Sequence, residues 1–299
     1  MSEPIASPAS ERRIRGRPLG FLLVTHPIPS AMYVVAVGLF SWLAAVAAHR
    51  PLDPGDLARV LIGMGCAQAA IGATNDYCDR EHDAIGQPSK PIVRGLVTPD
   101  QALGLAVVCS GALLLLITPL GLVPLVLGLL VEGIGLAYDL GFKGTPVSGL
   151  LYAVYFPLIP LLAWAVFGRW QPFLPWVLPL GGALGIAMNV ANSLPDLDTD
   201  AAQEVQGLPH LLGLRRGLAV AWSTPPAALA LLWLLSVIGV VPAHRGAMLI
   251  ATAATVLSVA LAIGLYVWRP QPATLRLTFI VQALGVVGLA TAGLAAVAF

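Results

Sequence analysis

Eight of the fifteen acidic residues in this chain fall within two short segments, Asp76, Asp79, Glu81 and Asp83 in one and Asp196, Asp198, Asp200 and Glu204 in the other. The first reads Asn75-Asp76-Tyr77-Cys78-Asp79-Arg80-Glu81-His82-Asp83. On a helix, positions 75, 79 and 83 form one stripe at i, i+4 and i+8, with Asp76 beside it. The second segment repeats the Asn-x-x-x-Asp-x-x-x-Asp spacing at Asn192, Asp196 and Asp200. Two such stripes brought together would repel each other without cations. Carboxylate and amide oxygens are hard ligands suited to Mg²⁺, which keeps waters and is often completed by substrate phosphates. The matched pair therefore points to a diphosphate held through Mg²⁺; taken singly, each cluster also reads as a solvated loop at a helix end or a lipid headgroup contact.

A diphosphate also needs direct cations. The stretch Gln87-Pro88-Ser89-Lys90-Pro91-Ile92-Val93-Arg94-Gly95 supplies Lys90 and Arg94 just after the first motif. Lys143 follows Tyr138 and Asp139 and is the one basic residue between Arg94 and Arg169. Basic residues on one side of a membrane also serve as topology markers, which is the default reading for Arg215 and Arg216.

These residues must be positioned by elements that cross a membrane. Hydrophobic residues make up 58% of the chain and charged ones 10%, against about a quarter charged in a soluble domain. Apolar stretches long enough to span roughly 30 Å of hydrocarbon run over 20–48, 57–75, 101–118, 122–138, 147–168, 172–193, 217–240, 246–267 and 275–298. The expected fold is an all-α membrane protein of nine transmembrane helices in one bundle around a central cavity that opens near the cytoplasmic face. Residues 1–18 read as a cytoplasmic tail and 19–299 as a single transmembrane domain. The links 118–122 and 168–172 are short enough to join half-helices. With the N-terminus in the cytoplasm, twelve basic residues (Arg12, Arg13, Arg15, Arg17, Arg80, Lys90, Arg94, Lys143, Arg215, Arg216, Arg269 and Arg276) fall on that side and four (Arg50, Arg59, Arg169 and Arg245) opposite. That asymmetry fits the positive-inside rule and puts the C-terminus outside a cell membrane. Cys66, Cys78 and Cys109 lack CxxC spacing and read as small buried hydrophobes, and a net charge of +1 gives no sign of a nucleic-acid partner.

Asn75-Asp76-x-x-Asp79-x-x-x-Asp83 followed by Lys90-Pro91-Ile92-x-x-Gly95 resembles the first signature of the UbiA superfamily of membrane prenyltransferases. Asp196-x-x-x-Asp200 resembles its second. The resemblance implies two motifs that bind Mg²⁺ and through it the diphosphate of a prenyl donor, with the isoprenyl chain in an apolar tunnel between helices. Carried over by position, it implies metal ligation by Asn75, Asp79, Asp83, Asn192, Asp196 and Asp200, and a catalytic set of Asp76, Asp79, Asp83, Asp196 and Asp200. Lys90, Arg94 and Lys143 would contact the diphosphate, and Tyr138 would line the same pocket. The partners implied are a prenyl diphosphate donor, a small lipophilic or aromatic acceptor and the bilayer. Two features depart from the commonest pattern: Lys90 replaces a bidentate Arg fork by a point charge, and Pro195 before Asp196 argues that Asn192 belongs to a preceding turn or kink.

The reaction implied is loss of diphosphate to leave an allylic cation-like carbon, captured by an electron-rich acceptor. A terpene cyclase of the same superfamily would use every residue above, with a double bond of the donor itself as nucleophile. A cation transporter would use the acidic helices as a site, although such sites lie near the bilayer midplane on broken helices. Tyr152, Tyr155, Phe156 and Trp164 are candidates to line the path of the chain, with lipid-facing packing as their default. His26, His82 and His210 are candidate bases, with a structural or surface role as the default. Glu132, seven residues before Asp139, is the acid that falls within hydrocarbon and is expected on a cavity wall.

Overall fold

The computed structural model describes residues 18–198 and 206–299. Asp200 and Glu204 of the second acidic segment, and Arg12, Arg13, Arg15 and Arg17, lie outside the described residues. Among the described residues, nine helices are long and apolar enough to cross a membrane. They are α1 (Pro27–Ala47), α2 (Pro54–Gly86), α3 (Pro99–Ile117), α4 (Leu122–Asp139), α5 (Ser148–Phe167), α6 (Leu174–Ser193), α7 (Leu208–Val237), α8 (Arg245–Trp268) and α9 (Pro272–Ala298).

Helix starts follow the chemistry of their first residues. Pro stands in the first turn of α1, α2, α3, α6, α7 and α9, where its missing N–H costs no intrahelical bond. The Asp53 carboxylate accepts from the Asp56 amide ahead of α2, and Thr98 with Gln101 forms a capping box ahead of α3.

Three departures from the expected spans shape the polar end of the bundle and the loops around it. A single first span over 20–48 is not formed: a helical segment at 18–24 stops, and His26 takes a left-handed φ of 50° before α1 begins at Pro27. The pair Pro27 and Pro29 withholds two amide donors from a continuous helix, which accounts for the break. The Ser30 hydroxyl steadies it by donating to the Thr25 carbonyl at 2.7 Å. Second, the expected 57–75 span runs on through the first acidic motif to Gly86. Its 33 residues measure about 50 Å, well beyond the hydrocarbon thickness, so the last turns of α2 project out of the apolar layer and carry the acidic stripe with them. Third, α7 begins at Leu208, nine residues ahead of the expected 217, with non-helical backbone at Gly213 (φ 67°). The links 118–122 and 168–172 separate distinct helices, the former through a 3₁₀ turn at Thr118–Leu120 and Gly121 at φ 109°.

Antiparallel succession brings the start of α1, the ends of α2, α4, α6 and α8, and the starts of α3, α5, α7 and α9 to one end of the bundle. Both acidic segments lie there. Close packing beneath them relies on small residues of α6: Gly181 and Gly182 lie against Pro157 and Ala153 of α5, and a Cβ at Gly185 would stand 2.2 Å from the Tyr152 carbonyl oxygen. Small residues of this kind let membrane helices approach without a hydrophobic driving force between them. Gly185→Leu is therefore expected to destabilise the fold by at least about 1–3 kcal/mol, seen as an earlier melting transition of the solubilised protein, whereas Gly104→Leu, whose Cβ would meet open space, leaves the transition in place.

Farther from the acidic end, α1, α5, α6, α7 and α9 enclose an apolar cavity of about 140 Å³ lined by residues that include Ala36, Phe40, Phe156, Leu184, Leu232 and Val297.

Candidate active site

The projecting end of α2 meets three basic or amide-bearing neighbours. The Lys90 ammonium, delivered by the α2–α3 link, lies 2.5 Å from Asp76 Oδ1 and 3.8 Å from Asp83 Oδ2. Asp76 is almost wholly buried at 1% exposure, so a paired cation is what makes its charge tolerable there. His26, turned inward by the break before α1, places Nε2 at 2.8 Å from the same Asp76 oxygen and 3.3 Å from Lys90 Nζ. One stripe position over, Asn75 donates to Asp79 Oδ2 at 3.1 Å and to Asp139 Oδ1 at 2.9 Å. Lys143, on the α4–α5 link, forms an ion pair with Asp79. Arg94 lies exposed on the α2–α3 link and takes part in none of the ion pairs formed among the described residues.

The second motif caps α6. Asn189, fully buried, donates to the Tyr138 hydroxyl at 3.4 Å, and the Ser148 hydroxyl lies 3.4 Å from its carbonyl oxygen. Asn192 is exposed on the last turn. Pro195 sits in a 3₁₀ turn, Leu194–Asp196, and Asp196 accepts from Arg276 of α9 at 2.8 Å. The chain then returns to the first motif's neighbourhood: the Gln206 amide donates to the Gly144 carbonyl, and the Leu208 amide to Ser148 Oγ. The C-terminal end of α4 thus stands between the two motifs, with Asp139 bonded to Asn75 on one side and Tyr138 to Asn189 on the other.

Among the described residues no three carboxylate, histidine or cysteine side chains form a ready cage for an ion. The carboxylates are held by Lys90, Lys143, Arg276 and His26. Yet Asp76 Oδ2, Asp83 Oδ2 and Asp139 Oδ2 are buried without a hydrogen-bond partner among the described residues. Buried carboxylate oxygens that accept no hydrogen bond are costly. Hard oxygen donors in this state fit Mg²⁺, which takes few protein ligands and leaves positions for phosphate oxygens.

Below the charged end the interior turns aromatic. Tyr138 meets Tyr152 edge-on at 5.2 Å, and Tyr152 stacks on Phe156 at 5.8 Å. Phe156 in turn lines the apolar cavity. These rings therefore link the polar end to the cavity without interruption. Trp164 lies elsewhere, packed edge-on against Phe173 at 5.6 Å.

The sequence profile of the UbiA prenyltransferase family matches residues 31–297. The chain belongs to this family. Over 192 residues it is 32% identical to the digeranylgeranylglyceryl phosphate synthase of Natronomonas pharaonis, an alignment covering 62% of this chain and 68% of that one. It is 28% identical over 209 residues to the 4-hydroxybenzoate octaprenyltransferase of Vibrio campbellii, covering 68% and 69%. A UbiA homolog from Archaeoglobus fulgidus, solved bound to GPP and Mg²⁺, superposes with a TM-score of 0.67 at 16% identity, covering 91% of this chain and 99% of that one. The all-helical architecture and the membrane prenyltransferase assignment expected of this UbiA-family chain are thereby shown.

Asp76, Asp79, Asp83, Lys90 and Lys143, marked in the sequence by their type and spacing, are gathered by the fold at one end of α2. Nothing in the sequence sets His26 beside a ligand, although Pro27 and Pro29 signal the helix break that turns it onto Asp76. Arg276 stands out in the sequence only as one of the basic residues on the cytoplasmic side, and Asn189 does not stand out at all, because a lone buried amide has no periodic partner to mark it.

Proposed function

We propose that this UbiA-family chain transfers an isoprenyl group from a prenyl diphosphate to an aromatic or other electron-rich acceptor, at the cytoplasmic end of the bundle, with Mg²⁺. The observation that carries the reading is the set of buried carboxylate oxygens that accept no hydrogen bond among the described residues, adjoining Lys90 and Lys143 and opening by way of aromatic rings onto an apolar cavity. The excess of basic residues at this end supports placing it, and the N-terminus, in the cytoplasm.

Asn75, Asp79 and Asp83, with Asp76 beside them, would hold the ion from one side, and Asn192, Asp196 and Asp200 from the other. When bound, Mg²⁺ supplies Lewis-acid neutralisation of charge on the diphosphate. Lys90 and Lys143, with Arg94 from the link, bind and orient the diphosphate oxygens and stabilise the charge that grows on them as the bond to the allylic carbon breaks. Both electrons of that C–O bond leave with the diphosphate, and the acceptor's electron pair forms the new bond to the same carbon. The ring faces of Tyr152 and Phe156, between the polar end and the cavity, would stabilise the transient positive charge, and the apolar cavity would house the chain and keep out water that would otherwise capture the cation. The acceptor's proton departs through the polar end.

Enriched membranes given geranyl diphosphate, Mg²⁺ and a panel of phenolic and lipid acceptors are expected to form prenylated products detectable by mass spectrometry. Chelation with EDTA removes that activity and added Mg²⁺ restores it. Products formed equally well without any acceptor, as hydrocarbons or terpene alcohols, would show a cyclase instead.

A further inference from the structure

A second polar tier lies two helical turns beneath the charged end. Tyr33 follows His26 by seven residues on α1, Gln68 precedes Asn75 by seven on α2, and Tyr155 follows Ser148 by seven on α5. Seven residues are close to two full turns, about 10 Å, so each lies on the same face as its partner above and deeper in the bundle. The three side chains meet. Gln68 Nε2 donates to the Tyr155 hydroxyl at 2.6 Å, and the Tyr33 and Tyr155 rings lie 6.1 Å apart. Gln68 and Tyr155 are only partly buried although they bond across the interior, so open space adjoins them. The Tyr33 hydroxyl, on a residue 9% exposed, has no hydrogen-bond partner among the described residues.

A buried hydroxyl left without a hydrogen bond is destabilising, and in a membrane interior there is little water to relieve it. Three hydrogen-bonding groups held at that depth, one of them unused, have the form of a binding site. The tier stands between the charged end, where the diphosphate would sit, and the apolar cavity, whose lining begins with Phe156 next to Tyr155 and Ala36 one turn beyond Tyr33. The carbon next to a diphosphate held above would lie over this tier.

We infer that Tyr33, Gln68 and Tyr155 form the acceptor subsite, and that the acceptor meets it with an uncharged hydroxyl. The tier contains two phenols and an amide, and no cation bonds to it among the described residues. A neutral hydroxyl can both accept from and donate to such groups. A carboxylate there would be buried without a counter-charge, at a cost that a single phenolic donor does not offset. The inference rests on the prenyl-transfer reading for its choice of ligand, and names the part of the substrate that reading leaves open.

The test compares two probes of matched shape, 1-naphthol and 1-naphthoate, binding to the full chain in lipid nanodiscs, with geranyl diphosphate and Mg²⁺ measured in parallel. Expected are at least tenfold tighter binding of naphthol than of naphthoate, and at least tenfold weaker naphthol binding in Tyr33→Phe and in Gln68→Leu. Geranyl diphosphate affinity changes less than twofold in both variants. The Tyr33 hydroxyl makes no hydrogen bond among the described residues, so an unaltered melting transition in Tyr33→Phe separates binding from folding. Equal binding of naphthol by wild type and both variants, or naphthoate binding as tightly as naphthol, overturns the subsite. So does a wild type that binds geranyl diphosphate but no naphthol, and in that case the prenyl-transfer reading stands. Failure of the wild type to bind geranyl diphosphate with Mg²⁺ brings down the underlying reading itself.

Discussion

Asp79→Ala is expected to lower prenyl transfer by on the order of 10²–10³-fold, the scale seen when one preorganised electrostatic contact at a developing charge is removed. Asp79 sits at the middle of the α2 stripe, bonded to Asn75 and paired with Lys143. Its loss removes an oxygen ligand and releases Lys143 from the position at which it faces the diphosphate. The folded state suffers less than on loss of a fully buried pair, because the Lys143 side chain, 30% exposed, can turn to solvent. Asp196→Ala is expected to act in the same direction, through the second motif. The measurement is product formed per unit of membrane-inserted protein. Turnover within threefold of wild type in both variants would remove the carboxylates from the mechanism.

Lys90→Ala is expected to be the more damaging change to the fold. It deletes the ammonium that faces two nearly buried carboxylates, Asp76 at 1% and Asp83 at 2% exposure. Breaking a buried pair by removing one partner costs about 3–5 kcal/mol, because the other charge stays behind. His26 still touches Asp76 Oδ1, so the loss falls hardest on Asp83. The double change Lys90→Met with Asp83→Asn, which neutralises the carboxylate left without a counter-charge, is expected to recover much of the stability without recovering donor affinity. A melting curve and a titration with geranyl diphosphate separate the two effects. Equal stability of Lys90→Ala and wild type would mean that the buried carboxylates are compensated elsewhere.

The spacing of carboxylates along one helix was legible in the sequence because i, i+4 and i+8 positions share a face whatever the tertiary context. Apolar runs of sufficient length likewise marked the spans, since a membrane helix satisfies its backbone internally. Boundaries were less legible. Hydropathy alone stops α2 near residue 75, since charged residues end an apolar window, whereas backbone hydrogen bonding carries the helix on to Gly86. Partners across helices were not legible at all. Arg276 on Asp196, His26 on Asp76 and Asn75 on Asp139 join residues 50 to 80 positions apart, and helices apolar all round give no rotational register from which to infer such contacts. Asn192 shows the same limit: spacing marks it, while the fold buries Asn189 one turn earlier and leaves Asn192 exposed.

Arg276 reaches Asp196 from the first turns of the last helix, whereas Asn75 and Lys90 come from the first third of the chain. A ribosome feeding this protein into a bilayer must therefore deliver most of the polypeptide before the acidic end can close. Carboxylates at the tips of α2 and α6 can wait in water during that interval, at no insertion penalty, which is why they can tolerate partners that arrive late. Glu132, buried at 5% exposure within α4, has no such refuge, and of the three helices packed on α4 only α2 and α3 have been made when it emerges, α5 following later.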